Sequence, residues 1–98
     1  MSEIANFVMH GAAQVTPVTL ERMLRNLPMC LNPGGRAAIL TFHSGEDRRV
    51  KKAFQEGQRF GLYAAVTEAP VRPGPEERRD NPRSAPAKLR WAVKAEDP

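Results

Sequence analysis

Three polar side chains that could take part in catalysis occur within five residues: His43, Ser44 and Asp47. A histidine is the commonest general base near neutral pH, and a carboxylate can hold its ring in one orientation. Asp47 could do this for His43, because residues four apart on a helix lie on the same face. The same spacing fits a capped strand-to-helix corner, with Ser44 as the N-cap and Asp47 as its capping-box partner. From the spacing alone we favour this structural interpretation.

The sequence contains no pattern typical of a metal centre or of a nucleotide-binding loop. Its single cysteine, Cys30, and its two histidines, His10 and His43, form no pair with metal-ligand spacing, so we expect no metal site. Neither Gly-x-Gly-x-x-Gly nor Gly-x-x-x-x-Gly-Lys-Ser/Thr occurs. Pro33-Gly34-Gly35 comes before an apolar run, whereas a phosphate-binding loop follows a strand, so these glycines are predicted to form a structural turn.

The charge balance favours an anionic partner, since the net charge is +4 and the isoelectric point is near 9.8. Nucleic acid is the usual choice, but the same residues could form a solvated helix face and a charged loop. One tryptophan, one tyrosine and four phenylalanines do not indicate a platform for base stacking. The basic residues of this candidate surface are Arg48, Arg49, Lys51, Lys52, Arg72, Arg78, Arg79, Arg83, Lys88 and Arg90.

Simple features of the sequence indicate the cellular compartment of the protein and the size of its domain. A single cysteine excludes an internal disulfide, which is typical of a reducing, cytoplasmic environment. The first residues lack the basic start and apolar segment of a signal peptide, and no apolar run is long enough to cross a membrane. The 98 residues correspond to one small domain or to part of a larger one.

A buried strand and the helix after it are the elements expected to position the polar corner. Residues 37–42 form a short apolar run without strict alternation, which predicts a strand covered on both faces. Val50 and Phe54 then give the following helix an apolar stripe. Before the strand, Thr16-Pro17 resembles an N-cap and first helical position, and Pro28 is expected to end or distort the helix that begins there.

Two further strands are predicted, at residues 62–68 and 88–93. In the second, Leu89, Trp91 and Val93 share one face, and we expect Trp91 to lie in the core. The loop between them, at residues 69–86, is too short for a helical crossover if it stays irregular, so the two strands should pair antiparallel. The predicted fold is α/β, with about three strands in a mixed sheet and two or three helices.

The domain boundaries follow from these elements. Residues 1–15 are an ill-defined lead-in, either a weak helix or loose chain, and residues 16–94 are the domain. Within it, residues 69–86 are a loop rich in proline and arginine, and residues 95–98 are a polar tail.

Two blocks of this sequence resemble the MraW/RsmH methyltransferases. Asn-Pro-Gly-Gly-Arg at residues 32–36 and Phe-His-Ser-Gly-Glu-Asp-Arg-Arg-Val-Lys at 42–51 resemble the family's L-x-P-G-G-R…F-H-S-L-E-D-R-x-V-K. Pro-Val-Arg-Pro at 70–73, Glu76-Glu77 and Asn-Pro-Arg-Ser-Ala-Pro-Ala-Lys-Leu-Arg at 81–90 resemble P-x-R-P-x-x-x-E…N-P-R-S-R-S-A-K-L-R. Gly45 replaces a leucine and Pro86 a serine, which indicates a divergent branch. The similarity covers about residues 18–94.

The resemblance implies a Rossmann-like, class I methyltransferase fold. Members of this family transfer a methyl group from S-adenosylmethionine to the exocyclic N4 of a cytosine in small-subunit ribosomal RNA. The chain would correspond to the C-terminal part of the catalytic domain and would supply the fifth, sixth and seventh of seven strands. The glycine loop and the acidic residue that hold the cofactor have no counterpart, so the chain alone is not expected to bind S-adenosylmethionine or to methylate RNA.

Candidate site residues follow from the resemblance together with the strand-end position of the corner. The candidates for the rim of the active site are His43, Ser44 and Asp47. The RNA-binding candidates are Arg48, Arg72, Asn81, Arg83, Lys88 and Arg90. No cofactor-binding residue is assigned.

The partner expected from the sequence depends on the predicted strand edge. A three-stranded half-sheet would leave one apolar edge of residues 37–42 unpaired, and such edges recruit partners. We therefore expect a homodimer or pairing with a separate N-terminal half that completes a split methyltransferase. The alternatives are a non-catalytic RNA- or protein-binding remnant, for which RNA binding would depend strongly on salt, and a truncated product with no function of its own.

Overall fold

The computed structural model describes residues 6–10, of which only the backbone is considered, and residues 17–96. The elements in chain order are β1 (Asn6–His10), α1 (Pro17–Cys30), β2 (Arg36–Thr41), α2 (Ser44–Arg59), β3 (Tyr63–Val66), α3 (Pro75–Asp80), a single 3-10 turn (Pro82–Ser84) and β4 (Lys88–Lys94).

These strands form one mixed sheet in the order β1-β2-β4-β3. β1 is parallel to β2, with Phe7 opposite Ala37, and β4 is antiparallel to both of its neighbours. The predicted α/β class, the mixed sheet and the antiparallel pairing of β3 with β4 are confirmed. The last strand lies between β2 and β3, which the sequence did not predict.

The N-terminal strand is the largest departure from expectation. Residues 6–10, for which a weak helix or loose chain was expected, pair along the whole of β2 up to Leu40. The open edge predicted for residues 37–42 is therefore wrong, and so is the argument for dimerisation through it.

Helices α1 and α2 cover one face of the sheet. Ala37 and Ile39 of β2 point to this face and are 1 % exposed, and Phe54 of α2 packs edge to face on Tyr63, with ring centroids 5.5 Å apart. The buried cluster consists of Leu20, Leu24, Leu27, Leu31, Ala37, Ile39, Val50, Phe54, Tyr63 and Ala92. The apolar stripe predicted for α2 is thereby confirmed.

The opposite face of the sheet remains partly exposed. Ala92 of β4 lies in the core, so Leu89, Trp91 and Val93 point away from the helices. Trp91 is 37 % exposed, and the expectation that it lies in the core is wrong. The alternation of side chains in β4 was predicted correctly, but the helices cover the face that carries Ala92 and not the face that carries Trp91.

Proline 28 does not end α1 where expected, because the helix continues to Cys30. A proline this close to the end removes only the hydrogen bond to the carbonyl of Leu24. The carbonyl of Pro28 instead accepts a hydrogen bond of 2.9 Å from Lys94 Nζ, which satisfies one group of the last turn. The N-cap predicted at Thr16 lies outside the described residues.

The proline- and arginine-rich loop is tied to the sheet at one point. Val71 and Leu89 exchange two backbone hydrogen bonds of 2.8 Å, an isolated antiparallel bridge on β4. Farther along, Ser84 Oγ donates to the carbonyl of Asn81 at 2.7 Å and closes the 3-10 turn. These bonds hold the loop against the end of the sheet where β4 begins.

Tyr63 lies so close to α2 that only glycine fits at position 57. A Cβ atom there would overlap the tyrosine ring. The Tyr63 hydroxyl is buried, and within the described residues it has no hydrogen-bond partner. Burial, with a smaller contribution from Cys30, raises the pKa of Tyr63 from 10.0 to about 12.

The raised pKa predicts a loss of stability in alkaline solution. Between pH 10 and pH 12 an unfolded chain has released the Tyr63 proton while the folded protein retains it, so the free energy of unfolding falls as pH rises, by at most about 1.4 kcal/mol per pH unit. Urea denaturation from pH 9 upward measures this. Lysines titrate in the same range, so the readout is the difference from Tyr63→Phe. The same slope in both proteins would contradict the prediction.

Candidate functional site

The polar corner is capped by His43. This residue has an extended backbone, with φ −134° and ψ 134°, and its Nδ1 accepts a hydrogen bond of 3.1 Å from the Gly45 amide. Its carbonyl accepts the first helical bond, 3.0 Å from the Asp47 amide. Ser44 is already helical, so the expectation that Ser44 is the N-cap is wrong. An Nδ1 that accepts this bond carries no proton, which leaves the proton of the neutral ring on Nε2.

Asp47 is bound by the last strand rather than by the corner. Its Oδ1 accepts a bond of 2.7 Å from Arg90 Nε, and its Oδ2 one of 3.1 Å from Arg90 Nη2. The two side chains are 10 % and 6 % exposed, and Lys88 Nζ lies 3.9 Å from Oδ2. The carboxylate is thus held by β4, and the structure shows neither the capping-box role predicted for it nor the alternative, the orienting of His43. Arg90, an RNA-binding candidate, is buried in this pair.

A second group of predicted residues lines a cavity of about 640 Å³ beyond the end of β2. We call it the β2-end cavity. Its apolar lining includes Leu40, Phe42 and Leu89, and its polar lining includes Arg72, Asn81, Arg83 and Glu77. The loop and the strand end thus bring together three of the six RNA-binding candidates.

The other candidates lie around the same end of the sheet without lining the cavity. His43 and Ser44 are exposed at the start of α2, and Arg48 is exposed one turn farther along the helix. Lys88 lies opposite Thr41, the last residue of β2. The sequence analysis did not single out Phe42 as a site residue, although it continues the alternation of Ala38 and Leu40 beyond the strand, and it is 40 % exposed.

The described residues do not by themselves fit S-adenosylmethionine. The two glycines with positive φ, Gly34 and Gly61, come before β2 and β3, whereas a cofactor loop would follow a strand. Gly45 follows β2, but a Cβ there would lie 3.1 Å from the His43 ring, so the corner leaves no open cradle. Asp47, one of two acidic residues in the first turn of α2, is taken by Arg90.

Residues 6–10 and 17–96 contain neither a metal-binding cluster nor a membrane-spanning helix. No group of three histidine, cysteine, aspartate or glutamate side chains there could hold a metal ion. No helix in that part of the chain is long and apolar enough to cross a membrane.

The comparisons with known proteins agree on one family. Residues 17–95 match the MraW methylase family. A protein of Lachnoclostridium phytofermentans named ribosomal RNA small subunit methyltransferase H 1 is 54 % identical over 76 residues, which cover 78 % of this chain and 21 % of the relative. One of Acholeplasma laidlawii, ribosomal RNA small subunit methyltransferase H 2, is 55 % identical over 75 residues, 76 % of this chain and 22 % of the relative. The chain thus spans about a fifth of the length of these curated relatives.

Proposed function

This chain belongs to the MraW methylase family, and we propose that it is the C-terminal portion of a methyltransferase that uses S-adenosylmethionine and acts on small-subunit ribosomal RNA. The match of residues 17–95, with relatives named for this activity, carries the proposal. The methyl acceptor that the resemblance implies is the exocyclic N4 of a cytosine. A protein acting on this RNA would work in the cytoplasm.

The sheet topology supports the C-terminal placement. β2, β3 and β4 are the three strands that the resemblance numbers fifth, sixth and seventh, and β1 lies where the fourth would be. β1 and β2 are parallel, so their carboxyl ends meet at one edge, where ligands bind in open α/β sheets. His43, Ser44 and the β2-end cavity lie at this edge, and we propose that they form the rim of the complete active site.

We further propose that the chain is inactive alone and that the remaining part of the enzyme, on the same or a separate chain, completes it. The poor fit to the cofactor supports this. So does Thr41, which is 2 % exposed at the end of β2 and whose hydroxyl has no hydrogen-bond partner among the described residues. The exposed sheet face with Trp91 offers the rest of a doubly wound fold a surface to cover.

The alternative proposal is a non-catalytic RNA-binding remnant. The β2-end cavity favours it, because its exposed guanidinium groups belong to this chain and do not depend on the missing part. When a cofactor-binding half is supplied, the first proposal predicts methylation of RNA, whereas the alternative predicts RNA binding without methylation.

A chimera tests the proposed function. The 76 matched residues of the Lachnoclostridium phytofermentans relative are replaced by those of this chain, and transfer of a labelled methyl group to small-subunit RNA is measured. We expect methylation by the chimera, and no calorimetric signal when S-adenosylmethionine is titrated into the 98-residue chain. The controls are the intact relative and a version that lacks the segment.

Each result bears on a separate part of the proposal. A chimera that binds S-adenosylmethionine but does not methylate RNA would show that this chain cannot replace the relative's segment in catalysis. The RNA-binding remnant would then be the remaining proposal. Micromolar binding of the cofactor by the chain alone would overturn its dependence on a missing half.

A further inference from the structure

We propose that the groove between α1 and α2 binds an amphipathic helix of a partner protein, with apolar side chains along one face and acidic side chains beside them. We call it the α1–α2 groove. A buried or half-buried floor and exposed rims line it: Leu24, Ala53 and Tyr63, and Arg25, Lys52 and Phe60. Binding of such a partner goes beyond the proposed methyltransferase activity and does not depend on it.

The groove is separate from the proposed rim of the active site. β2 and β3 are both antiparallel to β4, so they run in the same direction. Tyr63 is the first residue of β3 and marks the edge at which these strands begin, whereas the β2-end cavity lies where β2 ends. No described residue lines both the groove and that cavity.

The shape of the groove suits a helix. On α2 its lining extends from Arg49 to Phe60, which corresponds to about 16 Å or about three helical turns. The cavity between α1 and α2 has a volume of about 450 Å³, and Gly57 adds no side chain to it. A helix that docks in a groove inserts apolar side chains from successive turns, and this length and volume match such a set of anchors.

The end of the groove nearest β3 is apolar and exposed. Phe60 and Leu62, which both line the groove there, are 73 % and 43 % exposed. A ring exposed to this extent lies mostly outside the cavity, so a small molecule confined to the cavity would leave it in water. A helix lying along the groove would cover both side chains, and aromatic residues are common anchors of protein interfaces.

The charges favour an acidic partner. Helices α1 and α2 together carry seven basic and four acidic side chains. Arg49 Nε and Glu21 Oε1 pair across the two helices at 3.2 Å. Of the other charged residues of the lining, Arg25 and Lys52 make no ion pair with any described residue, and one carboxylate, Glu56, opposes them. Acidic side chains beside the apolar face of a partner would complement these two cations.

A second copy of this chain suits the groove less well. A two-fold contact places the same surface patch of both copies face to face. Such a contact would bring together the unpaired Arg25 and Lys52 of both copies, and like charges at an interface oppose association. The charge balance therefore favours a different protein.

Binding of a designed peptide to the 98-residue chain, followed by fluorescence anisotropy, tests the proposal. The probe is a fluorescein-labelled helical peptide of about 14 residues, with leucines at positions i, i+4 and i+7 and glutamates beside them. We expect this acidic peptide to bind at micromolar concentrations. Two matched peptides, one with lysine for glutamate and one with serine for leucine, should bind about tenfold more weakly or less.

Variants of the chain test the apolar and the charged part of the groove separately. Phe60→Ala removes the exposed ring and should weaken binding of the acidic peptide about tenfold. Arg25→Glu combined with Lys52→Glu should reverse the preference, so that the lysine peptide binds more tightly than the acidic one. The controls are Val71→Ala and Arg79→Glu, at exposed positions outside the groove, and both should bind as the wild type does. Urea denaturation of each variant separates a loss of binding from a loss of folding.

Three results would refute a site for an acidic helix. One is equal affinity of folded Phe60→Ala and Val71→Ala for the acidic peptide. Another is equal binding of the leucine and serine peptides, which would reduce the surface to general electrostatic attraction. The third is a concentration-dependent dimer in sedimentation equilibrium that Phe60→Ala abolishes, because a second copy would then be the occupant.

Discussion

Replacing Asp47 by alanine is expected to lower the free energy of unfolding by about 3–5 kcal/mol. The substitution leaves the guanidinium of Arg90, a residue 5 % exposed, buried without its carboxylate, and Lys88 loses the same neighbour. A domain of this size is stable by only about 5–15 kcal/mol, so much of the total would be lost. Urea denaturation followed by circular dichroism measures the change.

A double substitution separates the pair from the packing around it. Asp47→Leu combined with Arg90→Met removes both charges, and we expect it to cost less than Asp47→Ala, because no buried charge is left unpaired. Asp80→Ala, at an exposed position at the end of α3, is the control and should change stability by no more than about 0.5 kcal/mol. A loss below about 1 kcal/mol for Asp47→Ala would show that the pair is open to water.

The Asp47–Arg90 pair also shows where sequence reasoning ends. The two residues are 43 positions apart, and no local pattern connects them. Three residues after Ser44, an aspartate has an adequate local explanation as a capping-box partner. That explanation was wrong because β4 lies beside β2 and brings Arg90 next to the start of α2. The cap was misplaced for a related reason: histidine is not a preferred N-cap type, yet here its ring nitrogen accepts the Gly45 amide.

The elements with strong local signals were predicted well. The strand expected at residues 37–42 is Arg36–Thr41, and the helix expected after the corner begins at Ser44, one residue earlier than a Ser44 N-cap would place it. The strand expected at residues 88–93 is Lys88–Lys94. Apolar periodicity, a tight glycine turn and a polar corner are all properties of the chain near these residues, and they do not depend on tertiary contacts.

The predictions that were wrong depend on which strands are neighbours and on which face the helices cover. Only the assembled sheet contains this information. Residues 7–9 are a short apolar run, and such a run fits a strand or a helix until a partner strand is known. Alternation in β4 divides its side chains between two faces but does not say which face the helices cover, and Trp91 was therefore placed on the wrong one. The β2-end cavity depends on the second of these facts, since Leu40 and Leu89 line it from the face that the helices leave open.

Replacing Phe54 by alanine is expected to destabilise the protein by about 3–5 kcal/mol, comparable with the loss of Asp47. Phe54 is 2 % exposed, and its ring packs on Tyr63 with an angle of 70° between the ring planes. Gly57 holds that tyrosine against the helix and leaves no side chain that could move into the space. The midpoint and slope of urea denaturation report the change.

The residue that follows this helix supplies the matched control for Phe54. Phe60 follows the last turn of α2 and is 73 % exposed, so Phe60→Ala removes the same atoms from a position in contact with solvent. We expect its effect to stay within about 0.5 kcal/mol. Equal losses in the two variants would mean that packing against Tyr63 is not what Phe54 contributes to stability. A large loss confined to Phe54→Ala would establish that this contact holds α2, and with it the His43 corner, against the sheet.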